Sequence, residues 1–260
     1  MKKLRFRLLP DTAHNAESNM AIDEMLLDSL TQSTWDGCLR FYDWQPPAVS
    51  FGYAQKVDPD LTRSINAKGI DTVRRATGGR AVLHQGELTY SFIGRSKSPE
   101  KAGGYLMPSV NAAYKQICEP LLQGLQSLGV QCSLGSTEAK YRSLADCFEA
   151  STQADLQYQG KKLVGSAQLR RNEGVLQHGS IMLDQSQTLM PELLGLSKVQ
   201  DAPARHANLK DIGHFDRATV ADAITRAFAQ IFDAEMIHSP LEPIEMIRVQ
   251  DLIATGKYAV

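Results

Sequence analysis

Three segments of this 260-residue chain carry residue types and spacings suited to acyl or anion chemistry. The first is Arg74-Arg75-Ala76-Thr77-Gly78-Gly79-Arg80-Ala81-Val82-Leu83-His84. The paired glycines Gly78 and Gly79 tolerate positive φ and let a ligand approach bare backbone N–H groups. With Arg75 ahead of the turn, Arg80 closing it and His84 beyond, the segment can hold an anionic or amide-bearing ligand. The competing reading is a plain hairpin with solvated arginines. The second segment is Gly160-Lys161-Lys162-Leu163-Val164-Gly165-Ser166-Ala167-Gln168. Neighbouring strand residues face opposite ways, so one of the two lysines points inward. The small residues Gly165, Ser166 and Ala167 leave room for a ligand, although a hairpin lysine is more often solvated. The third is Cys147, in Ala145-Asp146-Cys147-Phe148-Glu149. A thiol becomes a nucleophile as thiolate, and a nearby ammonium favours that form. Cys147 lies just before the hairpin that carries Lys162, fifteen residues on, which makes that lysine a candidate for the cation. Cys118 and Cys132 have apolar neighbours and read as inert core thiols, and Cys147 itself could be the same.

Common signatures are absent. The chain has no G-x-G-x-x-G, no G-x-x-x-x-G-K-[ST], no H-E-x-x-H and no G-x-S-x-G. The simplest dinucleotide-binding, P-loop, zincin and hydrolase readings are excluded. The four cysteines, Cys38, Cys118, Cys132 and Cys147, contain no C-x-x-C pair, so a ribbon-type zinc site is not expected.

Taken together, the three segments resemble the lipoate–protein ligase and octanoyltransferase family. The shared pattern is a double Arg, Thr-Gly-Gly, Ala-Val-x-His and then Tyr-Ser. It stands here as Arg74-Arg75, Thr77-Gly78-Gly79, Ala81-Val82-Leu83-His84 and Tyr90-Ser91. The family's Gly-(Lys/Arg)-Lys-x-x-Gly-Ser-Ala is Gly160 to Ala167, and its His-Gly-Ser is His178-Gly179-Ser180. The likeness is clear from about Leu4 to Leu194 and weaker beyond. It implies a biotin/lipoate ligase-like catalytic domain with Lys162 as catalytic residue. It implies substrate contacts from Arg75, Gly78, Gly79, His84, Gly165, Ser166, Ala167 and His178.

Within that family the chain is most similar to the LipM-type octanoyltransferases, which use a cysteine acyl-enzyme. Ligases typically carry an Asn-Asp type segment where this chain has Asp146-Cys147-Phe148, and a third Gly where Arg80 stands. The resemblance implies octanoyl transfer from octanoyl-acyl-carrier protein through Cys147. The acceptor is then a lysine of a lipoyl-domain protein such as the glycine-cleavage H protein. No cofactor and no metal are implied. Three alternatives remain at this level: an ATP-dependent lipoate ligase, an octanoyl amidotransferase between lipoyl domains, and a lipoyl-domain binder without catalysis.

These residues need a scaffold, and the chain alternates strand and helix signals. Leu4 to Leu9 alternates apolar and basic as a half-buried strand does. Asp11 and Thr12 offer helix caps, and an apolar stripe from Met20 to Leu30 predicts a helix over about 15–32. Strands are expected at 39–44, 48–51, 71–75 and 88–93, with a short helix from Asp58-Pro59 to Gly69. The stretch from Gly94 to Gly104 reads as a mobile loop. A helix over about 109–128 has Pro120 as a possible kink. Two hairpins follow, one turning at Gln159-Gly160 and one between Arg171 and Gly174. Helices are expected at about 186–194, 218–232 and after Pro243, with an irregular stretch from Gly195 to His214. The expected fold is α/β (α+β): one domain over residues 1–260 with a mixed, largely antiparallel sheet flanked by helices. No separate C-terminal accessory domain is expected.

Composition sets the outer bounds. Hydrophobic residues make up 43% and charged residues 22%, as in a soluble globular chain. Lys and Arg number 28 against 29 acidic residues, which argues against a phosphate-coating nucleic-acid binder. Apolar runs fall far short of the ~20 residues a membrane span needs, and no apolar core follows the basic N-terminus as in a signal peptide. Scattered thiols fit a reducing compartment, so a cytoplasmic location is expected.

Overall fold

The computed structural model describes residues 3–98, 103–135, 155–184, 189–195 and 206–260. The N-terminal alternation makes β1, Leu4–His14, longer than the pattern suggested. It passes through Asp11 and Thr12, and the helix cap falls instead on Asn15, whose side chain accepts from the Ser18 N–H at 2.9 Å. Helix α1 then spans Ala16–Ser29 and continues as a 3₁₀ turn over Leu30–Gln32. Strands β2 (Gly37–Trp44) and β3 (Ala48–Phe51) follow, then α2 (Pro59–Asn66) and β4 (Asp71–Arg74). Asp58 caps α2 and Pro59 occupies its first turn, where a missing N–H costs nothing. Next come β5 (Val82–His84) and β6 (Leu88–Arg95), the latter absorbing Gly94 and Arg95 from the expected loop. Helix α3, Val110–Ser127, runs through Pro120 without ending. The chain continues with β7 (Cys132–Leu134), β8 (Leu156–Tyr158), β9 (Lys161–Arg171) and β10 (Gly174–Ile181). It closes with α4 (Leu189–Leu193), α5 (Arg217–Ile231), β11 (Ala234–His238) and α6 (Pro243–Ala254).

The strands form two sheets where the local patterns suggested one. The larger has eight strands in the order β11-β1-β2-β6-β10-β9-β8-β7; the smaller is β4-β3-β5. Pairing is parallel on both sides of β1 and between β3 and β4, and antiparallel elsewhere. The mixed, largely antiparallel α/β architecture read from the sequence is therefore present. Strand β11 has no counterpart in that reading: its five edge residues, one buried, two half-buried and two exposed, leave a weak period-2 signal.

Both faces of the large sheet are covered. Leu39 and Phe41 of β2 and Tyr90 and Phe92 of β6 pack under α3 and α5 through Ile117, Leu121, Ile224 and Phe228. The alternate residues Cys38, Tyr42, Trp44 and Ile93 pack against α1 and α6 through Met25, Leu26 and Val249. Each fully buried side chain of this kind contributes roughly 1.5–3 kcal/mol. The small sheet has its own core with α2 and α4, from Val49, Phe51, Leu83, Ile65 and Met190. Among the described residues no helix is long and apolar enough to cross a membrane.

Candidate active site

A cavity of about 490 Å³, counting the space at its mouth, opens between the two sheets. Strand β9 supplies Lys162, Gly165, Ser166 and Ala167; β10 supplies His178, Gly179 and Ser180; the small sheet supplies Ser50, Val82 and His84. Met20, Tyr42 and Trp44 add apolar wall, and Arg75 and Thr89 complete it.

The hairpin turning at Gln159-Gly160 decides which lysine enters. Both turn residues have positive φ, 49° and 76°, the geometry a two-residue hairpin loop needs. Lys161 then points to solvent and Lys162 is 4% exposed. Lys162 Nζ lies 3.0 Å from Oδ2 of Asp155, itself buried. A buried cation is costly unless paired, and the carboxylate both balances and orients it. Ser166 is held by two tyrosines: its hydroxyl shares a 2.7 Å hydrogen bond with Tyr90, and its carbonyl accepts from the Tyr114 hydroxyl at 3.1 Å.

Two arginines and one close backbone approach brace the Thr77-Gly78-Gly79 turn and its surroundings. Arg75, buried, donates to the carbonyls of Ser50 (2.9 Å), Gly78 (3.0 Å) and Arg80 (2.7 Å), and to the Ser50 hydroxyl at 3.0 Å. The guanidinium expected to face a ligand thus also braces the turn. Arg74 likewise donates to the carbonyls of Gly52, Tyr53 and Gln55. Gly79 has φ 101°, and a Cβ on Gly52 would stand 2.0 Å from the Gly79 carbonyl oxygen. Gly78 and Gly79 are not among the lining residues of the cavity.

Two histidines face the cavity, each clamped between a hydroxyl and a carboxylate. His178 Nε2 is 2.7 Å from Thr77 Oγ1 and its Nδ1 is 3.1 Å from Asp23 Oδ2. Asp23 also pairs with buried Arg40 at 2.8 Å and accepts from Ser91 (2.8 Å) and Tyr42 (3.2 Å). Burial alone would push this carboxyl up; Arg40, His178 and Ser91 outweigh it and hold it below the ordinary carboxylate value. His84 Nε2 is 2.8 Å from Ser50 Oγ, and its Nδ1 is 2.6 Å from Glu87 Oε1. Trp44 stacks on the His84 ring with centroids 3.9 Å apart. Burial pulls His84 below the ordinary histidine value, against the opposing pull of Glu87.

Of the residues singled out from sequence, Lys162, Arg75, His84, Gly165, Ser166, Ala167 and His178 are brought to this cavity. Cys147 lies outside the described residues. The sequence reading missed Asp155, Ser50, Glu87 and Asp23. One signal was available for Asp23: it interrupts the apolar stripe of α1 between Ile22 and Met25, and a carboxylate on a buried face must have a partner. Buried Cys38 and Cys118 are pushed up to about 12 and Cys132 to about 11, in each case by burial. Among the described residues no cluster of His, Cys, Asp or Glu has the makings of a metal site.

The lipoyl protein ligase A/B catalytic domain model matches residues 15–229. The chain is 33% identical over 270 residues to octanoyltransferase LipM of Moorella thermoacetica, covering 98% of this chain and 95% of that protein. It is 34% identical over 279 residues to octanoyltransferase LipM of Brevibacillus brevis, covering 98% and 96%. Among solved structures it resembles a bi-partite lipoate protein ligase of Thermoplasma acidophilum described with its E2 lipoyl domain. That match has a TM-score of 0.74 at 22% identity, covering 96% of this chain and 92% of the other.

Proposed function

The chain belongs to the lipoyl protein ligase A/B catalytic domain family, and we propose that it acts as an octanoyltransferase of lipoate biosynthesis through an acyl-enzyme on Cys147. It is an acyltransferase, and its acceptor is a lipoyl-domain protein. The donor in this reading is octanoyl-acyl-carrier protein, and the glycine-cleavage H protein is the first acceptor to try. The observation that carries the proposal is the buried Lys162–Asp155 pair on the wall of the cavity between the sheets.

The chemistry runs in two steps. Cys147 thiolate adds to the thioester carbonyl of the donor, the donor's C–S bond breaks, and its thiol leaves with a proton. The exchange of one thioester for another is nearly balanced in free energy. The acceptor lysine amine then adds to the Cys147 thioester, the carbon–sulfur bond to Cys147 breaks, and an amide forms as the amine's proton passes to the departing thiolate. An amide is more stable than a thioester, so the second step draws the sequence forward without ATP. Lys162 supports both steps as a fixed positive charge, favouring thiolate over thiol and donating to the oxyanion of each tetrahedral intermediate. The octanoyl chain lies along Met20, Tyr42, Trp44 and Val82, where transfer from water to an apolar wall contributes about 0.8 kcal/mol per CH₂.

Intact mass tests the proposal. Protein mixed with octanoyl-acyl-carrier protein alone should gain one octanoyl mass on Cys147, removable by hydroxylamine. Lipoyl domain added without ATP should discharge it. Modification that appears only with free octanoate or lipoate plus ATP would make the protein a ligase and Cys147 a bystander.

A further inference from the structure

Ser50, His84 and Glu87 form a nucleophile–base–carboxylate series that the cysteine chemistry does not use, and we propose that it is a second acyl-transfer centre, hydrolysing medium-chain acyl esters and thioesters through an ester on Ser50. The three links are in order and of hydrogen-bond length: 2.8 Å from Ser50 Oγ to His84 Nε2 and 2.6 Å from His84 Nδ1 to Glu87 Oε1. This is the nucleophile, base and orienting group expected of an activated serine. Their placement also has the expected polarity. Ser50 and His84 line the cavity, while Glu87 sits behind them, fully buried.

Each member is held for the role. A carboxylate only accepts, so Glu87 fixes the proton of His84 on Nδ1 and leaves Nε2 free to accept from Ser50. Glu87 is itself oriented by the Gln85 N–H at 2.7 Å and the Thr89 hydroxyl at 3.0 Å. Thr89 in turn accepts from the Trp44 indole at 2.9 Å, and Trp44 lies flat on the imidazole. The ring therefore has one plane and one tautomer. Arg75 Nη1, 3.0 Å from Ser50 Oγ, places a positive charge where the serine oxygen loses its proton. A merely structural hydroxyl would be served equally well by any neighbouring carbonyl.

The step balances without a further reagent. Ser50 Oγ bonds to the acyl carbonyl carbon as its proton passes to His84 Nε2. The carbon–oxygen or carbon–sulfur bond to the leaving group breaks, and His84 returns the proton to that group. Water then adds to the Ser50 ester with His84 again as base, giving the free acid and restoring the hydroxyl. The protein would thus have two outlets for an acyl chain: a thiol that passes it to a protein amine, and a hydroxyl that passes it to water.

The test uses p-nitrophenyl octanoate and the full chain carrying Cys147→Ala, so its outcome is independent of the thiol. The expected result is continuous nitrophenol release with a transient octanoyl mass on the peptide containing Ser50. Adding Ser50→Ala should lower the rate by about 100-fold or more, and Glu87→Gln, which keeps the shape, by a comparable factor. A second measurement needs no substitution in the triad: an alkyl fluorophosphonate should add one phosphonyl group to Ser50 of the otherwise native chain. The proposal is overturned if the Ser50→Ala protein hydrolyses as fast as its parent. It is also overturned if folded Cys147→Ala protein neither releases nitrophenol nor takes up the phosphonyl group at Ser50.

Discussion

The Lys162 ammonium and the Asp155 carboxylate stand 3.0 Å apart with both side chains closed off from water. Their charges are worth more to each other there than on a surface, and either one alone would be a liability. Lys162→Met should therefore destabilise the fold by about 3–5 kcal/mol, because it strands a buried carboxylate. Adding Asp155→Leu to it should recover much of that loss, which urea unfolding of the two single variants and the double variant would reveal. Activity should separate from stability: acyl-enzyme formation should stay about 10²–10³-fold down in every variant lacking Lys162. Lys161→Ala, on the solvent side of the same strand, should change neither quantity; equal losses at both lysines would sink the assignment.

The thiols can be told apart by alkylation. Burial pushes Cys38 and Cys118 up to about 12 and Cys132 to about 11. Fewer than about one in a thousand of these three would be thiolate at pH 7.5. Iodoacetamide on folded protein should mark Cys147 first and abolish transfer in step. Labelling of any of the other three ahead of Cys147, mapped by peptide mass, would contradict the proposed nucleophile.

The glycine contact across the small sheet should be intolerant of a single methyl. A Cβ on Gly52 would meet the Gly79 carbonyl oxygen at 2.0 Å. Gly52→Ala must therefore push the Thr77-Gly78-Gly79 turn out of place. Transfer should fall sharply while the helices keep the far-ultraviolet dichroism near that of the parent. Normal kcat/KM in this variant would mean that the turn's position is irrelevant to the chemistry.

Chain-length preference should respond to Ala167. Its side chain lines the cavity, and Leu there takes up space an acyl chain would fill. Ala167→Leu should shift the preferred donor from octanoyl to shorter chains by raising KM for the longer ones, since an overpacked wall costs typically 1–3 kcal/mol. Competition between hexanoyl and octanoyl donors, read by mass, checks it.

Acid stability should depend on Asp23. Its folded-state carboxyl is held low, by Arg40 chiefly, against the opposing effect of burial. The stability it gives is fully present above its unfolded value of about 3.9 and is lost as pH falls through the lower folded value. Asp23→Asn should cost about 3–5 kcal/mol at pH 7, because Arg40 is left buried and unpaired. It should also flatten the decline below pH 4 relative to the parent, as followed by thermal unfolding across pH.

What could be read ahead of the structure was local. The turn at Gln159-Gly160 and the strand alternation after it put Lys161 and Lys162 on opposite sides, and both effects act within a few residues; that Lys162 is the inner one was implied by the family resemblance. The capping of α2 by Asp58 and Pro59 is similarly short-range. What could not be read was partnership. Ala48 to Phe51 is buried at every position, so its pattern says nothing of which strand lies beside it, and the second sheet went unseen. Asp23 and His178 meet across 155 residues, and Ser50 and His84 across 34. A buried polar side chain is explained only by its partner, and chain distance hides the partner.

The placement of β1 bears on how the chain acquires its shape. It is flanked by β2 on one side and by β11 on the other, the latter arriving more than two hundred residues later. Arg7 at its centre is also gripped by Glu245 of α6 at 2.7 Å. During synthesis the first strand made is thus among the last to be enclosed, and until Ala234–His238 emerges it presents a bare row of N–H and C=O groups. Closing so long a loop is slow, and an uncovered strand invites pairing with another chain. A ribosome-bound or truncated chain stopping before Ala234 should be the aggregation-prone species, and chaperones that shield early strands should matter most to its yield.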